Sequence, residues 1–142
     1  MEVGAVRVLL SLRAAAQQVD NCLAAWFATY GLTPQKFSIL MLLHSEPKPV
    51  ALSNLRRFLN TTQANVTGLI AGLERDGLIK RRASRTDGRV SFVSLSRRGK
   101  RMVSTKLPAY FAFSRDALRG LSQNEKKTLV TLLGHVASGL AL

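Results

Sequence analysis

The residues best equipped to do chemistry in this chain are cations, and they are concentrated. Between Asp76 and Met102 the sequence reads DGLIKRRASRTDGRVSFVSLSRRGKRM. Nine basic residues (Lys80, Arg81, Arg82, Arg85, Arg89, Arg97, Arg98, Lys100 and Arg101) stand there against two acidic ones, Asp76 and Asp87. Guanidinium and ammonium groups at that density donate charge-assisted hydrogen bonds to phosphates or carboxylates. Within the run, Asp87-Gly88-Arg89 sets a carboxylate two residues before an arginine. Read from the residues alone, that spacing suits a turn-stabilising ion pair worth about 0–1 kcal/mol. A second set, Thr62, Gln63, Ala64, Asn65, Thr67 and Gly68, opens a helical pattern. Gln and Asn pair bidentately with adenine, and Thr meets a thymine methyl or a phosphate. The same residue types are also ordinary capping chemistry on a solvated helix face.

The totals bound what these residues can serve. The chain has 142 residues, a net charge of +13 and 46% hydrophobic residues, with a pI near 11.3. A disordered basic tail would lack that apolar content, so the reading is a folded protein with a basic surface. Such a surface calls for a polyanion: nucleic acid first, an anionic membrane surface second, with a merely solubilising charge as the bland alternative. No nucleophile–base set, phosphate loop or carboxylate pair stands out, so neither an enzyme nor a cofactor is expected. No Cys/His cluster has metal-ligand spacing, and no metal is expected. Cys22 is the single cysteine, which excludes an intrachain disulfide and suits a reducing cytoplasm. Val8-Leu9-Leu10 is interrupted by Arg7 and Arg13, too short and charged for a membrane span. The pattern runs on in helical period to Tyr30, unlike a cleaved signal.

The elements that position the cations follow from periodicity. Ala5, Leu9, Leu12, Ala16, Val19, Leu23, Trp26 and Tyr30 step by three or four along one long helix, which Gly31 caps. Thr33-Pro34 opens a second helix with Phe37, Leu40, Met41 and His44 on one face. Leu52–Leu59 and Gln63–Arg75 are two helices joined by a short turn, with Thr62 as N-cap and Asp76-Gly77 as the stop. Val66, Leu69, Ile70 and Leu73 then face inward, directing Ala64, Gly68, Ala71 and Arg75 outward. Gly68 and Gly72 each cost on the order of 1 kcal/mol relative to Ala, which hints at close approach to something. From Leu78 the period becomes two: a strand over Leu78–Arg82, a turn over Ala83–Gly88, and a strand over Arg89–Leu95. Ser96 caps a long helix to about Leu118 that Pro108 should kink or split. Ser122 and Glu125 form a capping box for a last helix through Leu140. The expected fold is mainly α with a small β-hairpin: a winged helix-turn-helix over 33–96, flanked by helical segments 1–32 and 97–142.

This order resembles the multiple-antibiotic-resistance regulator (MarR) family of bacterial transcription factors. The residues carrying the likeness are Gly77-Leu78-Ile79-Lys80-Arg81, Asp87-Gly88-Arg89, Val93-Ser94-Leu95-Ser96 and Gly99, with Leu32-Thr33-Pro34-Gln35-Lys36-Phe37 ahead of them and Leu121-Ser122 behind. The resemblance implies that the hairpin is a wing, that Arg89 enters the minor groove of double-stranded DNA braced by Asp87, and that Arg85 meets phosphate or the groove edge. A narrow A·T-rich minor groove attracts arginine for its negative potential. Gly72 departs from the family, where a basic residue is common at that place, and Gly68 also leaves the helix without a long side chain. Direct base readout is then modest and the wing proportionally more important.

The resemblance also implies a homodimer, the terminal helices of two subunits interlocking, and a pseudo-palindromic site. It implies release by a small aromatic effector in a cleft that Trp26, Tyr30, Phe37, Met41 and His44 could line, with Tyr110 or Phe113 opposite; core packing is the alternative for each. Cys22 sits too near Thr33 to match the family's peroxide sensors and is expected to be buried and inert. The function expected is therefore a dimeric DNA-binding transcriptional regulator. The rivals are a winged-helix protein-interaction module and a basic RNA-binding module, the latter opposed by the lack of stacking aromatics on the hairpin.

Overall fold

The computed structural model describes residues 3–141. Its elements run α1 (Val3–Ala28), α2 (Pro34–Ser45), β1 (Val50–Ala51), α3 (Leu52–Leu59), α4 (Gln63–Arg75), β2 (Ile79–Ala83), β3 (Ser91–Leu95), α5 (Arg97–Ala117) and α6 (Gln123–Leu140). Two compact units divide the chain, Met1–Val103 and Ser104–Leu142.

In the first unit, three helices end the same way. Leu32 N–H reaches the Phe27 carbonyl while Gly31 N–H reaches Ala28; Thr61 and Asn60 do likewise to Arg56 and Arg57, and Leu78 and Gly77 to Leu73 and Glu74. These paired bonds satisfy carbonyls that a helix end leaves free, and they need a left-handed residue at the penultimate place. Gly31 (φ 69°), Asn60 (φ 49°) and Gly77 (φ 73°) supply it. The helix starts are equally legible. The Thr33 hydroxyl accepts from Lys36 N–H at 3.2 Å, and that of Thr62 from Asn65 N–H at 3.1 Å.

The hairpin is part of a three-stranded antiparallel sheet, ordered β1-β3-β2. Val50 pairs with Val93 and Ala51 with Phe92, while Ile79 pairs with Leu95 and Arg81 with Val93. The sequence reading omitted β1, because two residues between Pro49 and Leu52 have no period to detect. Val93 is fully buried and Leu95 nearly so, which fixes the face that meets the helices. Phe37, Ile39, Leu40, Leu55, Val66, Ile70, Leu73 and Leu78 complete that core. Burial of such side chains contributes about 1.5–3 kcal/mol each.

One junction locks the wing to α5. The Ser96 hydroxyl donates to the Gly77 carbonyl at 2.6 Å and accepts from Gly99 N–H at 3.0 Å. Ser96 N–H donates to the Leu78 carbonyl at 3.0 Å. A Cβ on Gly99 would collide with that same Leu78 oxygen, so the first turn of α5 can lie this close to the strand only without a side chain.

Two expectations are corrected. Helix α5 continues through Pro108 unbroken. Ser104, whose carbonyl loses its helical partner to the proline, is exposed, so water can take the vacated place. Cys22 is a free and exposed thiol, not a buried one. It lies off the Leu12, Leu23 and Trp26 positions that are half-buried on α1.

Helix α1 buries Phe27 alone and leaves Val6, Leu10 and Val19 half or more exposed. In the second unit, the Ser122–Glu125 capping box starts α6 as expected, and Glu125 Oε1 accepts from Ser122 N–H at 3.0 Å. Helix α6 buries no residue; Val130, Leu132 and Leu140 stand more than half exposed.

Candidate nucleic-acid interface

Two structures present the predicted residues: the N-terminal turns of α4 and the turn between β2 and β3. On α4, Val66, Ile70 and Leu73 are buried, which leaves Gln63, Ala64, Thr67, Gly68 and Ala71 exposed. Three of the polar side chains are already engaged. Thr62 caps the helix, the Asn65 amide donates to the Thr61 hydroxyl at 2.9 Å, and the Thr67 hydroxyl donates to the Gln63 carbonyl at 2.8 Å. Gln63 is exposed at the start of the helix. Gly68 has nothing within 4 Å of a would-be Cβ, so its surface is open. Gly72 has a different reason: Lys36 Nζ of α2 lies 3.1 Å from where its Cβ would be, and reaches on to Asp76 at 4.0 Å. The two glycines that looked alike in sequence thus face outward and inward respectively.

The wing turn is built by a small network. Ser84 Oγ accepts from the N–H groups of Thr86 and Asp87, each at 3.2 Å, while Ser84 N–H donates to the Val90 carbonyl at 2.7 Å. Asp87 Oδ1 then accepts both Arg89 N–H at 3.0 Å and Arg89 Nε at 3.3 Å. The Arg89 side chain is nevertheless 92% exposed. An exposed guanidinium bonded only through Nε is what a phosphate or a base-edge acceptor needs. Arg85 is exposed near the same tip.

Sequence reasoning missed Arg56. With Leu52, Ser53, Gln63, Val66 and Thr67 it lines a depression of about 120 Å³ between α3 and the start of α4. The Arg56-Arg57 doublet was the available signal. Arg57 turns instead to Asn54 Oδ1 at 2.7 Å.

Of the residues expected to line an effector cleft, three come together. Trp26 meets Tyr30 and Phe37 edge-on at 5.5 and 6.5 Å between ring centres. Phe27, which the sequence reading passed over, completes the cluster at 4.8 Å from Trp26 and 4.7 Å from Phe37. Phe37 is buried, Trp26 and Met41 half-buried, and His44 exposed. Tyr110 and Phe113 belong to the second unit. Tyr30 borders a depression of about 430 Å³ together with Leu32, Arg75, Asp76, Leu78, Arg98 and Met102. Among the described residues no group of His, Cys, Asp or Glu is placed to hold a metal ion.

A capped α3–turn–α4 pair, followed by a strand-paired basic wing, defines the class: a winged helix-turn-helix protein. The sequence model described as the MarR family matches residues 30–90. The transcriptional repressor YetL of Bacillus subtilis is 31% identical over 143 aligned residues, covering 100% of this chain and 86% of that protein. A probable transcriptional regulator from Pseudomonas aeruginosa, solved as a crystal structure, is 35% identical with a TM-score of 0.74, over 91% of this chain and 96% of that one. The fold also matches Sco3205, a MarR family transcriptional regulator from Streptomyces coelicolor solved in complex with DNA. There the TM-score is 0.92 at 21% identity, over 100% of this chain and 94% of that one. The chain belongs to the MarR family of transcriptional regulators, a family without enzymatic activity.

Proposed function

We propose that this protein acts on double-stranded DNA as a homodimer, setting α4 in the major groove and Arg89 in the minor groove of each half-site. The observation that carries the reading is Arg89 itself, braced through Nε and its backbone by Asp87 yet 92% exposed. An arginine restrained in this way loses less side-chain entropy on binding. Gln63, Ala64, Thr67 and Gly68 form the base-facing surface, Thr62 and Asn65 hold the helix start, and Arg85 and Arg56 flank it. One N–H of the Asn65 amide goes to Thr61, which leaves its Oδ1 and second N–H for a base. A relative of the same fold was solved in complex with DNA, which supports DNA as the partner.

The dimer is supported by α1 and α6, whose exposed aliphatic residues are more than an isolated chain in water ordinarily tolerates. Segments 1–32 and 97–142 would supply that interface, and 33–96 the DNA contacts. A two-fold dimer reads a pseudo-palindrome with half-sites about one helical turn apart. The aromatic cluster at Trp26 supports control by a small aromatic effector, which would act by binding two dimer states unequally. No helix among the described residues is long and apolar enough to cross a membrane. A regulator of bacterial DNA would act in the cytoplasm.

Selection of bound fragments from random duplex DNA, repeated at two salt concentrations, tests the reading. A recovered palindrome with a steep salt slope is the expected result. Equal affinity for every duplex, or a preference for RNA, would overturn it.

A further inference from the structure

The sheet has a second face, and it is not the one that meets α4. Arg81 reaches back to Glu74 of α4 at 3.7 Å, so its β2 neighbours Lys80 and Arg82 point the opposite way. On that outer face a trough of about 360 Å³ crosses the sheet. Pro49 and half-buried Phe92 supply its apolar part, and Lys48, Lys80, Arg82 and Arg85 ring it. Among the described residues none of these four cations has a carboxylate within the 4.0 Å of an ion pair. Lys48 and Pro49 also border a neighbouring depression of about 270 Å³, where Phe58 of α3 stands 54% exposed. Glu46 is the carboxylate on that far side.

We propose that this outer face docks an acidic, extended protein segment carrying aromatic or aliphatic side chains. The chemistry selects that occupant. Uncompensated cations around an apolar floor attract carboxylates and reward a buried ring, whereas phosphate alone gains nothing from Phe92 or Phe58. Two adjoining open depressions suit the successive side chains of a chain. A small ligand is ordinarily enclosed on most of its surface. The face lies away from α4; of its four cations only Arg85 belongs to the wing tip that the DNA reading uses. The inference therefore does not depend on the DNA reading and is tested on DNA-free protein.

The test is a titration of isotope-labelled full-length protein, followed by NMR, with a synthetic peptide alternating glutamate with phenylalanine and leucine. Shifts at Lys80, Arg82, Phe92 and Phe58 are expected, with Gln63 and Arg89 unmoved. Lys80→Glu with Arg82→Glu should weaken binding roughly tenfold. Phe92→Thr should weaken it as well, while Arg89→Ala leaves it unchanged. Shifts confined to Gln63 and Arg89 would overturn the proposal. So would equal binding of a peptide with serine in place of the apolar residues, or saturation of the same resonances by benzoate at similar concentration. Mapping on the unaltered protein keeps the test decisive should a variant misfold.

Discussion

Asp87 and Arg89 are joined twice: one carboxylate oxygen accepts the Arg89 backbone N–H at 3.0 Å and its Nε at 3.3 Å. The arginine projects from a turn that its own neighbour holds rigid. At this degree of exposure the pair contributes little to stability, so its value lies in aim.

Arg89→Ala should therefore leave thermal stability nearly unchanged and weaken DNA binding roughly tenfold to a hundredfold. Arg98→Ala, at the start of α5, should cost less. Asp87→Ala should fall between them, because the guanidinium remains but loses its brace. Fluorescence anisotropy with the selected duplex measures all three. Equal losses for Arg89 and Arg98 would mean that the wing supplies only field.

Gly68 and Gly99 should respond to alanine in opposite directions. Gly68→Ala meets open space and should stabilise the fold by about 0.5–1 kcal/mol through helix propensity. It should also weaken DNA binding, since the added methyl stands where the groove floor must approach. Gly99→Ala drives a methyl onto the Leu78 carbonyl and should destabilise by roughly 2–3 kcal/mol. Thermal melts paired with duplex titrations separate the two effects. A Gly68→Ala variant that binds DNA as the parent does would show that α4 stands off the bases.

Deleting residues 1–20 removes most of the exposed aliphatic residues of α1. Monomer or aggregate should replace the dimer in sedimentation velocity. A soluble, intact dimer from the shortened chain would contradict the role given to this helix.

Glu125 links the last helix to pH. Its carboxyl titrates below the ordinary value of 4.5 because the Ser122 backbone N–H and hydroxyl hold the charged form. A depressed folded pKa means that this contribution is fully present above the unfolded value and is lost as pH falls through the folded one. Ser122→Ala keeps the backbone N–H, the larger cause, so it should return the Glu125 titration only part of the way toward its ordinary value and lower the melting temperature. It should also shrink the drop in stability seen on acidification below the unfolded value. Carboxyl-carbon NMR follows the titration directly; an unmoved Glu125 would assign the whole depression to the backbone N–H.

Local chemistry was readable along the chain because its signals are short. Thr33-Pro34, Thr62 and the Ser122–Glu125 box announce helix starts through side chains that reach only three residues. Gly31 and Gly77 announce helix ends through a backbone angle. The change of period at Leu78 marks the wing. The aligned Asp87-Gly88-Arg89 turn needs no distant contact to form, and so the likeness to the family could be seen in the residues themselves.

What sequence could not supply depends on groups far apart in the chain. β1 exists because Val50 and Ala51 meet β3, forty-three residues on by the Val50–Val93 register. Gly72 is small because Lys36 of another helix lies across it, whereas Gly68 faces open space, a distinction invisible to propensity. The outer trough arises only when strand pairing brings Lys48 and Pro49 beside Phe92 and Arg82. Periodicity and capping act over one or two turns and are written locally. Close approach and strand pairing are decided when the chain folds back on itself.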